Sequence, residues 1–297
     1  MQPSDLFIPW EGVVTDWEEA LNNINDLFKL ATDKRELAWR GVANASYALH
    51  SSIYRRLVAQ SDRFPNEEDV LAFEESILGR ARTLWRYDHI SALELLAHIQ
   101  HYGGPTRLLD VSLNPFVALW FAVEQRYDSE GRPSEDSDGR LFIFDVTDRQ
   151  IALDKTWGGR ELPWKLPPNG WRTNLPMIWR PPSYNERIPA QNSAFLIGGV
   201  PKFGAGSNMK YRKVPGDGTG AETWSADEVR QTTSVTLSMN TLDRKLRHNS
   251  KPTFTLRITA AAKQSIRNAL ENRFGFNPSS IYPDLFGLAQ YGANGIP

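Results

Sequence analysis

The pattern of apolar and polar positions is most informative over residues 98–124, HIQHYGGPTRLLDVSLNPFVALWFAVE. An apolar helix is predicted to end at His101, because Gly103 tolerates a positive φ and Pro105 restricts the residue before it. Alternation over residues 106–112 then predicts a strand. One face of this strand carries Arg107, Leu109 and Val111, and the other carries Thr106, Leu108, Asp110 and Ser112.

A helix start is predicted directly after this strand, at Asn114-Pro115. An amide side chain caps free N–H groups, and proline suits the first helical position. A strand that turns into a buried helix in this way commonly presents its polar side chains to a cleft. A buried strand followed by capping residues explains Ser112 and Asn114 equally well, so both interpretations stay open on the residues alone.

Helical and alternating patterns predict further elements along the chain. The predicted helices cover residues 15–31, 47–57 (a short turn or helix), 66–87, 91–101, Ala260–Phe274 and 284–291. The predicted strands cover residues 36–41, 140–146, part of 187–199, 234–239 and Thr253–Ile258. Thr15 with Glu18, and Ser91 with Glu94, have the spacing of capping boxes. In the last helix the predicted packing side consists of Leu285, Leu288 and Ala289.

Three segments show neither the helical nor the alternating pattern of apolar residues. Residues 128–139 are predicted to form a mobile polar loop, too rich in charge to pack. Residues 151–186 are dense in Trp and Pro, and they either wall a pocket or cover a sheet face. Residues 202–227 are rich in glycine and basic side chains. They form either a solvated loop or a contact for an anionic partner, and the glycine spacing excludes a phosphate-binding loop.

Composition narrows the function classes. The chain has 297 residues, 40% hydrophobic and 23% charged, which is typical of a folded globular protein. A net charge of −1 gives no global attraction to nucleic acid. The absence of cysteine excludes a disulfide scaffold and a cysteine nucleophile. We find no secretory signal and no apolar run long enough to span a membrane, so we predict a soluble, cytoplasmic protein without membrane partners.

The sequence offers weak support for a metal site or a hydrolase. His98 and His101 are three residues apart on a helix, but no acidic residue has a defined spacing to them. We therefore expect structural histidines and no bound metal. No GxSxG elbow is present, yet Ser112 lies between a strand and a helix with Asp110 two residues before it, so a hydrolase stays open.

Arg40 ends the strand pattern ELAWRG, directly before Gly41. A guanidinium is a rigid fork that suits a pyrophosphate or carboxylate, and Gly41 lets a ligand or a second backbone approach closely. A structural arginine paired with a carboxylate elsewhere is the alternative interpretation.

Several stretches together resemble the FRG domain. They are Trp39-Arg40-Gly41, the run from His101 to Asp110 (HYGGPTRLLD), Asn114-Pro115 with the following ALWFA, and RIPAQ ending at Gln191. The resemblance runs from about residue 35 to 199, and the final YPDLFGLAQY is similar to the ending of such proteins. Trp39 replaces the usual Phe, and Gly104 stands where Leu is usual.

The same order of motifs is similar, more distantly, to ADP-ribosyltransferases of the Arg–Ser–Glu type. That resemblance implies an NAD phosphate or ribose held by Arg40, and a nicotinamide ribose supported by Asp110 and Ser112. It places the third motif at Gln191. It also assigns cofactor contacts to Gly41, His101, Tyr102, Thr106 and Arg107.

Gln191 departs from the glutamate of those enzymes. Loss of nicotinamide builds positive charge on a ribosyl carbon, which a carboxylate stabilises better than an amide. Either Asp110 supplies the charge, or catalysis is slow, or the site only binds a nucleotide.

These resemblances imply one elaborated domain over residues 1–297, with a core at about 35–199 and residues 230–297 packed on it. The expected fold is α+β, an ADP-ribosyltransferase-like split, mostly antiparallel sheet with flanking helices around a cleft. The expected function is NAD-dependent ADP-ribosylation of a macromolecule by a bacterial or phage-related toxin or defence effector, with NAD as co-substrate. The alternatives are a non-catalytic nucleotide or nucleic-acid binding module and a hydrolase that uses Asp110 or Ser112.

Overall fold

The computed structural model describes residues 2–31, 34–166, 176–203, 211–215, 222–244, 246, 250–292 and 294. The strands are β1 (Glu11–Val14), β2 (Leu37–Val42), β3 (Leu109–Ser112), β4 (Gly139–Asp145), β5 (Met177–Trp179), β6 (Ser193–Ile197) and β7 (Thr253–Ile258). The helices are α1 (Trp17–Ala31), α2 (Ser52–Val58), α3 (Glu67–Leu84), α4 (Ala92–His101), α5 (Pro115–Val123), α6 (Arg187–Ala190), α7 (Ala226–Thr232), α8 (Ala260–Phe274), α9 (Pro278–Ile281) and α10 (Leu285–Tyr291).

The strands form one sheet of mixed α/β architecture in the order β1-β7-β4-β2-β3-β6-β5. Every neighbouring pair is antiparallel except β1 and β7, which confirms the mostly antiparallel sheet. Strands β2 and β3 share only the pair Trp39–Ser112. Next to that pair, a side chain joins the two strands: Arg40 Nη1 donates a hydrogen bond to the backbone oxygen of Asp110 at 2.5 Å.

Two of the apolar cores on the sheet include residues of β2. Helices α1, α5 and α8 bury residues such as Ile24, Leu119 and Ile266 with Trp39 of β2. A second core packs Phe7 and Val235 against residues such as Phe142 of β4. Because β2 contributes to both cores, burial fixes its position and the direction in which Arg40 leaves it.

Helix α5 lies directly on β2. A Cβ atom at Gly41 would stand 1.8 Å from the backbone oxygen of Ala118 and 2.5 Å from the backbone nitrogen of Ala122. The glycine therefore admits a second backbone, which is one of the two uses predicted for it. Of the helices in the described residues, none combines the length and apolar content needed to cross a bilayer.

Local capping signals were predicted well at several helices. Asn66 and Ser91 each form the reciprocal capping box, and the Asn114 side chain accepts from the backbone N–H of Phe116. At α1 the predicted box is wrong. Asp16, rather than Thr15, accepts from the N–H of Glu19, whose carboxylate in turn accepts from Thr15.

Tertiary contacts shorten or remove other predicted elements. Strand β3 begins at Leu109 rather than Thr106, because the side chains of Thr106 and Arg107 are held by other parts of the chain. Residues 187–199 open with helix α6 before β6. Residues 234–239 form no strand of the sheet and contribute only an isolated bridge from Met239 to Thr253.

Most residues of the loop over residues 128–139 are exposed, which agrees with the predicted polar loop, but two of its carboxylates are held by distant arginines. Asp136 accepts two hydrogen bonds from Arg267, and Asp138 accepts from Arg257 at 2.7 Å. Arginines of β7 and α8 therefore match the charges of Asp136 and Asp138.

The Trp-rich segment and the last helix also differ from simple pattern expectations. Trp157, Trp164 and Trp179 are buried in a third core, whereas Trp171 lies outside the described residues. In α10 the predicted packing side is wrong, because Leu285 and Leu288 are exposed and Gly287 is buried against Tyr282. Lys210 of the basic loop and His248 also lie outside the described residues.

Candidate functional site

A cavity of about 950 Å³ opens beside the junction of β2 and β3. Four arginines line it, namely Arg40, Arg55, Arg126 and Arg187, together with the carboxylates of Asp110 and Glu124. We call it the arginine cavity. Its size is at the upper end of the range of roughly 300–1,000 Å³ that small-molecule sites occupy. The excess of cationic side chains favours an anionic ligand.

Arg40 is half-buried at the centre of the sheet. Its Nη1 donates to the backbone oxygen of Asp110, and its buried Nε has no hydrogen-bond partner among the described residues. Burial lowers the pKa of Arg40, the nearby Asp110 opposes this shift, and Arg55 adds to it. An anion in the cavity would relieve that repulsion between the two guanidinium groups.

Arg55 projects from α2 into the same cavity. Its Nη1 donates to the backbone oxygen of His50 at 2.6 Å, and desolvation lowers its pKa while Asp110 raises it. Within the part of the chain that the structure describes, neither Arg40 nor Arg55 forms an ion pair. Arg55 could not be singled out from the sequence, because the run HSSIYRRL shows a basic pair but not which of the two side chains turns inward.

The other two arginines are already paired with carboxylates. Arg187 makes a two-point contact with Asp284 at 2.6 and 2.8 Å. Arg126 Nη2 lies 3.8 Å from Glu124 Oε2. Arg40 and Arg55 are therefore the cations of this cavity that are best placed to accept a ligand's charge.

Asp110 exposes its carboxylate at the cavity, in agreement with one of the two interpretations of the strand pattern. Its Oδ1 accepts from Gln100 Nε2 at 2.7 Å, and Gln100 in turn accepts from the hydroxyl of Thr106. Thr106 itself is buried outside the cavity lining, so it orients Gln100 instead of meeting a ligand.

Ser112 and Gln191 meet at the cavity wall. Ser112 Oγ donates to the backbone oxygen of Gln191 at 2.7 Å and accepts from the N–H of Asn114 at 3.0 Å. Because its hydrogen is already donated to a carbonyl, this hydroxyl is poorly arranged as a nucleophile. The Gln191 amide donates to the backbone oxygen of Ile281 at 2.9 Å and accepts from Ser193.

The remaining predicted cofactor contacts divide between the cavity and elsewhere. Gly41 and His101 line the cavity. Burial lowers the pKa of His101; Arg187 and His98 lower it further, and Asp284 opposes the shift. Tyr102 is 85% exposed and does not line the cavity. Arg107 is buried away from the cavity, where it pairs with Glu67 and Glu74 and stacks over Trp164.

A cluster of Glu124, Tyr282 and Tyr291 closes one wall of the cavity. The hydroxyl of Tyr282 donates to Glu124 Oε1 at 3.0 Å, and its ring stacks on Tyr291 with centroids 4.4 Å apart. Burial raises the pKa of Glu124, opposed by Arg126, by the two tyrosine hydroxyls and by Lys263. No sequence pattern marks these residues as a group, because Glu124 lies 158 positions before Tyr282 along the chain.

Comparison with known proteins gives one match. Neither curated proteins nor solved structures match this chain. A family model does match, and it covers the segment that holds Arg40, Arg55, Asp110, Ser112 and Glu124. The resemblance stated from the HYGGPTRLLD block is thereby confirmed, since residues 35–131 match the model of the FRG domain.

Proposed function

We propose that the protein binds NAD in the arginine cavity and transfers its ADP-ribose group to a macromolecular acceptor, as a toxin or defence effector. The observation that carries this proposal is the pair of guanidinium groups, Arg40 and Arg55, which face one cavity without ion-pair partners among the described residues. Two such groups suit a diphosphate, whose oxygens accept two-point hydrogen bonds.

The remaining lining fits the other parts of a dinucleotide. The exposed carboxylate of Asp110 can accept from ribose hydroxyls, and its position is fixed by Gln100. Aromatic side chains such as Tyr47, Phe121 and Tyr184 offer flat surfaces for a base or a nicotinamide ring. In this proposal the single pairing of β2 with β3 corresponds to the split of an ADP-ribosyltransferase sheet.

The reaction requires little covalent chemistry from the protein. The bond between the ribosyl carbon and the nicotinamide nitrogen breaks, and its electron pair leaves with nicotinamide. The ribosyl carbon gains positive charge until a nucleophile of the acceptor attacks it. Catalysis then depends on placing the two reactants and on a negative charge near that carbon.

Calorimetric titration with NAD, combined with chromatographic detection of nicotinamide, tests the proposal. We expect saturable NAD binding that weakens in Arg40→Gln, and release of nicotinamide with transfer of label from adenylate-labelled NAD to a protein or nucleic acid in a bacterial lysate. Absence of nicotinamide release by the wild-type protein with any lysate offered, whether or not NAD binds, would overturn it.

A second candidate function is nucleotide binding without turnover. The amide of Gln191, tied to the backbone of Ile281, favours it, because no carboxylate stands at that position. The same titration distinguishes the two functions. Binding of NAD and of ADP-ribose without nicotinamide release, with any lysate offered, would select the binding module.

A further inference from the structure

Glu124 is the most deeply buried carboxylate that lines the arginine cavity, at 7% exposure. It directly follows α5, whose backbone is pressed against Gly41 of β2. Its Oε1 accepts a hydrogen bond from the Tyr282 hydroxyl at 3.0 Å, and its Oε2 lies 3.8 Å from Nη2 of Arg126, a longer ionic contact. The hydrogen bond from Tyr282 therefore limits the orientations that the Glu124 carboxylate can adopt.

Gln191 is connected to Glu124 through the backbone. Its amide donates to the carbonyl of Ile281, and the next residue, Tyr282, donates its hydroxyl to Glu124. The glutamine therefore fixes the segment that orients the carboxylate. An uncharged amide at position 191 is sufficient for this structural role.

Resting on the proposed function, we propose that Glu124 is the catalytic carboxylate of this cavity and that Gln191 is a positioning residue. As the bond from the ribosyl carbon to nicotinamide breaks, the Glu124 carboxylate stabilises the positive charge on that carbon. The acceptor's nucleophile then forms the new bond, and its proton passes to Glu124 and from there to water. The products are ADP-ribosylated acceptor, nicotinamide and one proton.

Burial distinguishes Glu124 from Asp110, the other carboxylate of the cavity. A charge in a less polar environment interacts more strongly with a developing cation, and the Asp110 carboxylate is exposed and already holds Gln100. The groups around Glu124 are Arg126, Tyr282, Tyr291 and Lys263. Burial outweighs their combined effect and raises the pKa of Glu124, which brings it nearer to the value that suits a general base.

Glu124→Gln is the central test, because it keeps the size and the hydrogen bonds of the side chain while removing its charge. We expect NAD binding within about twofold of wild type and a loss of nicotinamide release of about 100-fold or more. Glu271→Gln, an exposed position on α8, is the matched control and should behave as wild type. Asp110→Asn completes the comparison and should reduce release less than Glu124→Gln does.

The pH profile of nicotinamide release separates an effect of Tyr282 on Glu124 from a loss of fold. Tyr282→Phe removes the hydroxyl that stabilises the ionised form of Glu124, so the acid limb of the nicotinamide-release profile should move to higher pH. A purely structural role would lower the amplitude of the profile without moving it.

The failures are distinguishable. A wild-type protein that releases no nicotinamide overturns the proposed function and this inference together. A wild-type protein that releases nicotinamide, with Glu124→Gln equally active, overturns only the role of Glu124. A greater loss in Asp110→Asn than in Glu124→Gln assigns the reaction to Asp110.

Discussion

At the scale of single residues, two adjacent arginines on α2 give the sharpest prediction. Arg55 lines the arginine cavity, whereas Arg56 lies with its guanidinium carbon 5.7 Å from the ring of Phe73 and faces away from the cavity. We expect Arg55→Gln to weaken NAD binding roughly 10- to 100-fold, as for loss of a charge-assisted hydrogen bond. Calorimetry at fixed ionic strength measures it.

Arg56→Gln is the control for the same change of charge on the same helix. Its NAD affinity should stay within about twofold of wild type, because a screened charge outside the cavity contributes little. Equal losses in the two variants would mean that net charge, and not the geometry of the cavity, attracts the ligand.

Gly41 gives a prediction about stability. The new methyl group of Gly41→Ala would overlap the backbone of α5, which cannot move without disturbing the core, so we expect a loss of about 1–3 kcal/mol in the free energy of unfolding. Gly79→Ala on α3 meets nothing within 4 Å and should gain about 0.5–1 kcal/mol. Urea denaturation compares both, and a neutral Gly41→Ala would contradict the close contact.

The residues of the cavity show what a sequence can reveal. Arg40, Asp110 and Gln191 were predicted to lie together because each belongs to one of the motifs on which the family resemblance rests. The structure places all three at one cavity, and their chemical roles stay predictions. Arg55 and Glu124 were missed because no local pattern marks them. Their side chains meet the others only through the packing of α2 and α5.

At the scale of elements, local signals were reliable where the interaction is local. The caps at Asn66, Ser91 and Asn114 were predictable because a capping side chain bonds to an N–H two or three residues ahead. Residues 234–239 look like a strand from their β-branched content, yet they lie outside the sheet. A segment forms a strand only when another strand pairs with it, and the sequence pattern of one segment does not show whether such a partner is present.

The contact between His50 and α7 predicts a pH dependence at this scale. His50 Nε2 donates to the backbone oxygen of Arg230 at 2.9 Å, and burial lowers the pKa of His50 to about 4, with Arg55 adding to the shift. Between pH 6.5 and 4 the unfolded chain binds a proton that the folded chain does not. The free energy of unfolding should therefore fall as the pH falls through this window, by up to about 3 kcal/mol from this group.

His50→Gln isolates that contribution, because its amide can donate to the same carbonyl and does not titrate in this range. Urea denaturation at several pH values should give a shallower decline for the variant between pH 6.5 and 4. Parallel curves for the two proteins would show that His50 titrates normally in the folded state.

At the scale of the whole molecule, the cavity depends on how distant segments assemble. Its lining joins β2, α2, the end of α5, α6 and the C-terminal helices, with residue numbers from 3 to 291. The sheet order places β7 between β1 and β4 and β3 between β2 and β6, so most neighbours are far apart in sequence. Periodicity predicts the elements but carries no information on this order, which is why the site could be predicted only in part.

Arg107 provides a test that separates this scaffold from the cavity. Its guanidinium donates to Glu74 at 2.7 and 2.5 Å and to Glu67 at 2.8 Å, and Glu67 accepts from the N–H of Val200. This buried group ties α3 to the approach of β3 and, through Trp164, to the third core. Arg107→Met would remove the cation that these two buried carboxylates share and should lower the free energy of unfolding by about 3–5 kcal/mol.

The pH response identifies the cause of that loss. Burial already raises the pKa of Glu74 against the opposing effect of Arg107, so without the arginine it should rise further. A carboxyl that prefers to be protonated when folded stabilises the fold as the pH falls, so Arg107→Met should recover part of its deficit when the buffer is changed from neutral to mildly acidic pH. Arg63→Gln breaks an exposed pair with Asp69 and should leave the free energy of unfolding nearly unchanged at either pH. Because Arg107 does not reach the cavity, the folded variant should bind NAD with wild-type affinity; weaker binding at unchanged stability would instead assign Arg107 to the cofactor.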